Sequence, residues 1–111
     1  MVPGSGEILL LTTVADPEHA EAFARGLVER KLAACVSCLP GATSFYHWES
    51  DGITRDAEMV LLIKTHRDRL YEIERYFEDE HPYELPEFLV LDVAVLSKSY
   101  RDWMHGELTG K

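Results

Sequence analysis

Two prolines four residues apart, Pro82 and Pro86, restrict what the segment His81–Glu87 can form. Neither a regular helix nor a central strand can cross it, because proline fixes φ and lacks a backbone N–H. The segment follows an acidic amphipathic stretch and precedes the apolar run Phe88–Leu91. It therefore predicts a stiff elbow between a helix and a strand. The elbow carries an imidazole, a phenol and two carboxylates, and rigid irregular backbone often holds binding sites.

The composition indicates a single soluble domain. The chain has 111 residues, and its hydrophobic content of 46% is ordinary for a globular protein. The net charge of -9, from 11 basic and 20 acidic residues, argues against nucleic acid and anionic membrane surfaces as partners. The same charge weakly suits cations.

The N-terminal residues do not resemble a targeting signal. Residues 1–6 lack the basic and apolar regions of a signal peptide, so we expect a flexible lead before a single domain over residues 7–111. No apolar run approaches the ~20 residues of a membrane helix. The chain as given is therefore expected to be cytoplasmic.

Apolar spacing and turn residues predict the order β-α-β-β-α-β followed by a short helix. Asp16 and Pro17 suit the start of the first helix, and its apolar stripe ends near Lys31. The predicted elements are a strand over Glu7–Ala15, that helix, an outgoing strand over Ala33–Leu39 and Thr43–Trp48, a return strand over Ile53–Thr65, a helix over Arg67–Glu80, a strand over Glu87–Leu96 and a helix over Ser99–Glu107. This is the split βαβ, ferredoxin-like pattern of an α+β sandwich.

The predicted hairpin is longer than a compact domain of this size accommodates. Pro40-Gly41 indicates a bulge, and Ser50-Asp51-Gly52 supplies turn residues at the tip. An overhanging tip must fray or pair with another chain, and the aromatic side chains of Phe45, Tyr46 and Trp48 favour pairing. Right-handed crossovers place both main helices on one face of the sheet, so another subunit is expected to cover the opposite face.

The two cysteines form a C-x-x-C motif that we interpret as structural. On a strand, an offset of three residues puts Cys35 and Cys38 on opposite faces. A redox C-x-x-C normally lies at a helix N-terminus, and no second cysteine pair or nearby histidine pair completes a zinc set.

Five motifs occur in order along the chain, and the match extends from about Ile8 to Leu108. They are Lys31–Val36, Pro40–Glu49, Leu62–Thr65, His81–Glu87 and Tyr100–Trp103. Together they resemble the CutA divalent-cation tolerance proteins. The resemblance implies a ferredoxin-like protomer in a tight homotrimer, similar in architecture to the trimeric PII-type signalling proteins. It also implies a link to copper and other divalent metals, without an established enzymatic reaction. The family often has Trp-x-Gly before the return strand; here three residues separate Trp48 from Gly52, which predicts a shifted or longer turn.

His81 is the leading candidate metal ligand, with Glu84 or Glu80 as a carboxylate partner. Neutral imidazole is a common ligand for copper and zinc, and the resemblance to the CutA proteins makes Cu²⁺ the expected cofactor. In the alternative interpretation, His81 caps the preceding helix or lies in solvent. One imidazole and one carboxylate make a weak site, so tight binding would need ligands from another strand or a neighbouring chain.

A cleft between subunits is the second candidate site. Lys64 ends an apolar strand, and its ammonium either reaches water or faces Glu84, Glu87 or an anionic ligand. Packing alone would also explain each aromatic residue assigned to this cleft. The cleft is assigned Cys35, Trp48, Lys64, Tyr83, Glu87 and Trp103.

Three classes of function follow from these residues. The first is a trimeric protein that responds to divalent metal and is not an enzyme. The second is a PII-like sensor whose small-molecule ligand lies between subunits. The third is an enzyme using His81 and Glu84 as acid and base, which the lack of a serine elbow, Walker loop or H-E-x-x-H motif disfavours. The remaining histidines lack close candidate partners or suit surface and interface positions; they are His19, His47, His66 and His105.

Overall fold

The computed structural model describes residues 1–48 and 52–110. The strands are β1 (Val2–Pro3), β2 (Glu7–Val14), β3 (Cys35–His47), β4 (Ile53–His66), β5 (Leu89–Asp92) and β6 (Val95–Leu96). The helices are α1 (Pro17–Glu29), α2 (Leu70–Glu80) and α3 (Lys98–Thr109), and a 3-10 turn over Arg67–Arg69 precedes α2. An antiparallel sheet has the order β3-β4-β2-β5, and β1 pairs separately with β6. The chain thus has an α+β architecture.

The core lies between one face of the sheet and helices α1 and α2. The first helix starts as predicted, because the Asp16 side chain accepts a hydrogen bond from the His19 N–H and Pro17 occupies the first turn. The residues that meet in this core are Leu10, Val14, Phe23, Leu27, Leu61, Ile63, Ile73, Tyr76 and Phe77, all of them buried. No described helix has both the length and the apolar character needed to cross a membrane.

The opposite face of the sheet carries apolar side chains that the single chain leaves partly uncovered. Leu11 pairs with both Leu62 and Leu89, and Leu9 pairs with Leu91. Leu89 and Leu91 are 54% and 46% exposed. We call these five leucines the open face. They form the surface that we expected, from the sequence, another subunit to cover.

The hairpin of β3 and β4 gives the molecule an elongated shape of 48 × 25 × 24 Å. The predicted bulge is confirmed, since the register shifts between Leu39 and Ala42 and Gly41 adopts a positive φ of 86°. Apolar side chains remain exposed toward the tip, namely Phe45, Tyr46, Trp48 and Ile53. The predicted turn Ser50-Asp51-Gly52 lies largely outside the described residues, which resume at Gly52.

The two ends of the chain differ from the expected pattern. Residues 1–6, expected to be a flexible lead, contain β1, which pairs with β6. The predicted last strand, Glu87–Leu96, is divided into β5 and β6, because β5 reaches the end of its partner β2 at Asp92. Beyond that point, the Gly4 N–H donates to the Ala94 carbonyl, and the chain continues with β1 as its partner.

Candidate functional site

The predicted elbow lies between α2 and β5, and His81 is its first residue. Helix α2 ends at Glu80, and His81 adopts extended backbone angles while its N–H still donates to the Phe77 carbonyl. Pro82 then prevents another helical turn. Pro82 therefore has the structural role expected from the sequence, which is to end a helix, whereas the strand expected to begin at Glu87 begins at Leu89.

The His81 ring is buried, with 8% of the residue exposed. Its Nδ1 accepts a hydrogen bond from the Tyr83 N–H at 3.1 Å, so Nε2 carries the proton and donates to Thr12 Oγ1 at 3.1 Å. The rings of Phe23, Phe77 and Tyr83 surround the imidazole, with centroids 5.0 to 5.4 Å away. The alternative interpretation, in which the His81 side chain caps the helix carbonyls or lies in solvent, is therefore wrong.

This environment favours neutral imidazole. Burial lowers the pKa of His81 below its ordinary value, which outweighs the partial compensation from nearby hydrogen-bonding and acidic groups. A neutral ring can bind a metal, but both of its nitrogens already have partners. Metal binding by His81 stays a prediction, and it requires one of these hydrogen bonds to break.

An open groove of about 650 Å³ runs between α2 and the elbow. Three glutamates line it, Glu74, Glu78 and Glu84, together with His81 and Tyr83. The groove thus brings the two predicted metal ligands, His81 and Glu84, to one surface. Because all three glutamates are exposed, they give this surface a negative potential at neutral pH.

Tyr83 connects the elbow to β4. Its hydroxyl donates to Glu58 Oε2 at 2.7 Å, and Glu58 is only 9% exposed. Burial, together with the hydrogen bond and charge of Glu58, raises the pKa of Tyr83 so that the phenol stays protonated. Sequence reasoning missed Glu58, because nothing in its local pattern distinguishes it from a solvated glutamate on a hairpin strand.

Lys64 and Cys35 are cross-strand partners on β4 and β3. Lys64 Nζ lies 2.7 Å from Ser37 Oγ and 3.7 Å from Cys35 Sγ. Cys38 instead packs against the core, so the two thiols lie on opposite faces of the strand, as the offset of three predicts. Burial raises the pKa of the Cys38 thiol, which keeps it protonated.

The other residues assigned to the cleft lie on separate elements of the chain. Trp48 follows β3 near the hairpin tip and makes an edge-to-face contact with Tyr46 at 6.3 Å. Trp103 lies on α3 beside Tyr100, and Glu87 is exposed just before β5. An intersubunit cleft that joins these residues to Lys64 stays a prediction.

A second cluster of ionisable groups was missed by the sequence reasoning. Glu7 opens β2, and its cross-strand partner His66 closes β4. His105 on α3 approaches them, so that one potential ligand atom from each of the three residues lies within 4.8 Å of the others. The antiparallel pairing of the strands signals the contact between Glu7 and His66, but the docking of α3 leaves no pattern in the sequence.

The Glu7 carboxylate is ionised although the residue is only 1% exposed. Burial alone would raise its pKa, but hydrogen bonds from the Ser5 N–H and from His105 lower the pKa to about 2. Glu7 Oε1 lies 2.7 Å from the Ser5 nitrogen, and Oε2 lies 2.8 Å from His105 Nε2. Among the described residues, His105 is the sole salt-bridge partner of Glu7.

Known proteins are similar to this chain in both sequence and fold. The family model described as CutA1 divalent ion tolerance protein matches residues 8–107. The divalent-cation tolerance protein CutA of Yersinia pestis (strain Pestoides F) is 39% identical over 104 residues, which cover 94% of this chain and 87% of the relative.

Solved structures agree with this match. CutA from Synechococcus elongatus PCC7942 superposes with a TM-score of 0.92 at 38% identity, covering 96% of this chain and 94% of that one. CutA from Xylella fastidiosa gives a TM-score of 0.88 at 39% identity, with 94% and 99% covered. The sequence and the fold lead to the same conclusion: this chain belongs to the CutA1 divalent ion tolerance family.

Proposed function

We propose that this protein acts in divalent-cation tolerance as a homotrimer of ferredoxin-like protomers, and that it binds a divalent cation, Cu²⁺ foremost, in the elbow groove. The observation that carries the cation part is the groove itself, whose lining includes Glu74, Glu78 and Glu84 together with His81. Carboxylates attract divalent cations, and an imidazole increases the preference for copper or zinc.

The groove offers two classes of ligand with different costs. Glu84 and Glu78 are exposed, so their carboxylates reach a cation without breaking buried contacts. His81 joins the ligand set only when Nδ1 loses the Tyr83 N–H or when Nε2 loses Thr12. If His81 binds Cu²⁺, the elbow must therefore rearrange. Because the Tyr83 hydroxyl donates to Glu58 on β4, this rearrangement would link ion binding to β4.

The open face of the sheet supports the homotrimer. Five leucines from three adjacent strands form one apolar surface, and the hairpin presents further exposed aromatic side chains toward its tip. Contiguous exposed apolar surface of this kind is typical of protein interfaces. The proposal includes no catalytic activity, and it places the protein in the cytoplasm.

Cu²⁺ titration by calorimetry tests the elbow. We expect Glu78→Gln and Glu84→Gln together to weaken Cu²⁺ binding by about tenfold or more, on the scale of losses at metal sites. Glu72→Gln is the matched control, because Glu72 is an exposed glutamate of α2 that does not line the groove. Equal Cu²⁺ affinity in the double variant and the control would exclude the groove as the binding site.

A PII-like small-molecule sensor is the second candidate function. It is favoured by Lys64, whose ammonium lies among the polar groups of Ser37 and Cys35 at the margin of the open face. In a trimer this cation would lie at a subunit boundary and suit an anionic ligand. Thermal-shift screening with nucleotides and carboxylate metabolites tests it: a ligand that stabilises the wild type but not Lys64→Gln supports the sensor, and no stabilisation across the panel argues against it.

A further inference from the structure

We propose that Glu7, His66 and His105 form a binding site for a borderline transition-metal cation, Zn²⁺ in the first instance, at the end of the sheet beneath α3. The site is built within one chain and does not include the elbow groove. It therefore depends neither on copper binding at His81 nor on assembly into a trimer.

The cluster has the donor set of a metal site. One carboxylate and two imidazoles converge from three elements, β2, β4 and α3, with candidate donor atoms within 4.8 Å of one another. Donors bound to one tetrahedral Zn²⁺ at about 2.1 Å lie roughly 3.4 Å apart, so the side chains need to move by about 1 Å. His105 can make this movement, because its side chain is 43% exposed.

Glu7 supplies a buried negative charge that lacks a permanent cation. Its side chain is 1% exposed, and its sole salt-bridge partner among the described residues is His105, whose charge depends on protonation. Arg67, on the neighbouring 3-10 turn, is instead paired with Asp92 at 2.6 Å. Buried charges are normally paired or bound to a metal, and a divalent cation between Glu7 and the two imidazoles would satisfy that requirement.

His66 has the outer partner that a metal-bound histidine needs. At present its Nδ1 accepts from the Asp68 N–H at 3.1 Å, and its Nε2 donates to the Ser5 carbonyl at 2.9 Å. The Asp68 carboxylate lies 3.5 Å from the same Nδ1. A proton on Nδ1 would break the hydrogen bond from the Asp68 N–H. Nδ1 would then donate to the Asp68 carboxylate instead, and Nε2 would be free to bind the metal. A carboxylate behind the imidazole fixes the tautomer and raises the basicity of the ligand.

The backbone around the cluster is shaped for close approach. Gly6 has a φ of +107°, and a Cβ at this position would lie 2.5 Å from the His66 ring. The Ser5 carbonyl, next in the chain, contacts His66 Nε2 and offers a further oxygen ligand. Water or this carbonyl would complete a four-coordinate shell, as in zinc sites with three protein side chains.

Calorimetric titration of the chelator-treated full chain with Zn²⁺ tests the proposal. We expect one Zn²⁺ per chain, with affinity reduced about 10- to 100-fold or more in His66→Gln and in His105→Gln. His19→Gln is the matched control, because His19 is an exposed histidine of α1, which follows the opposite end of β2 from Glu7. Glu7→Gln is not used, because its amide NH₂ group would face the Ser5 N–H or the His105 ring, which now donate to the carboxylate, and would destabilise the fold.

Co²⁺ provides a second readout that a purely structural role would not affect. Co²⁺ bound to the cluster should give visible absorption, which disappears when Zn²⁺ displaces the Co²⁺. Both histidine variants should lack this absorption. Unchanged Zn²⁺ affinity in both variants would overturn the proposal, as would the absence of stoichiometric Zn²⁺ binding in a folded wild type. In either case the contact between His105 and Glu7 is only a hydrogen bond. Zn²⁺ binding that is lost on changing Glu78 and Glu84, but kept in both histidine variants, would instead belong to the elbow groove, so the two sites are distinguishable.

Discussion

Leu91 on β5 is the best position at which to test whether the open face is buried in an assembly. The residue is 46% exposed in the single chain and pairs with Leu9 across the sheet. A Leu91→Glu substitution places a charged group on this face. The residue lies at the surface of an edge strand, so the single protomer should keep its fold.

The expected magnitude follows from burial. Burying the exposed half of a leucine side chain contributes roughly 0.7–1.5 kcal/mol per protomer, because burying the whole side chain contributes about 1.5–3 kcal/mol. A buried, unpaired carboxylate costs several kcal/mol per ion. Over three protomers the loss exceeds roughly 10 kcal/mol, or about seven orders of magnitude in the assembly constant.

Sedimentation velocity at micromolar concentration measures this effect. We expect the wild type to sediment as a trimer and Leu91→Glu as a folded monomer, with folding checked by circular dichroism. Val28→Glu is the matched control, since Val28 is a 41% exposed aliphatic residue on α1, on the other side of the sheet. Leu91→Glu that still sediments as a trimer, or a wild type that sediments as a monomer, would refute the reasoning.

Three further substitutions test contacts around the two sites. Tyr83→Phe should lower the free energy of unfolding in urea by about 1–3 kcal/mol, because it leaves the buried Glu58 carboxylate without its donor; no change relative to the exposed control Tyr71→Phe would contradict this. Gly6→Ala should destabilise the protein more than Gly41→Ala, because a Cβ at Gly6 meets the His66 ring whereas a Cβ at Gly41 meets open space. Gly41→Ala should cost only the roughly 1–2 kcal/mol of a non-glycine residue at positive φ. Equal thermal shifts for the two variants would show that the His66 ring moves aside freely. His81 should make stability dependent on pH: its folded pKa lies below the unfolded value of 6.5, so its contribution is complete above pH 6.5 and decreases as pH falls through the folded pKa. The urea midpoint of His81→Gln should therefore fall less steeply below pH 6.5 than that of the wild type, and parallel profiles would exclude His81 as the cause.

Local sequence signals predicted those parts of the fold that short-range chemistry controls. Asp16-Pro17 located the start of α1, because capping acts within one turn. Pro40-Gly41 located the bulge, and Pro82 located the end of α2. In each case the residue itself limits the backbone, so little tertiary information was needed.

Contacts between distant segments were not predictable in the same way. The pairing of β1 with β6 involves two residues from each strand, which is too short for any periodic pattern. Glu7 and His105 are 98 residues apart, so their contact depends on where α3 docks. Likewise, the burial of His81 depends on Thr12 and Phe23, which lie on other elements and close over the ring only in the folded chain.

A crystal structure of the protein grown with Cu²⁺, with anomalous scattering measured at the copper edge, tests the central claim most directly. We expect a three-fold assembly with the leucines of the open face buried. We also expect a copper peak in the groove beside Glu84, with the Tyr83 N–H displaced from His81 wherever His81 is a ligand. A protomer whose open face remains in solvent, or copper bound elsewhere while the groove carries no anomalous peak, would contradict the account.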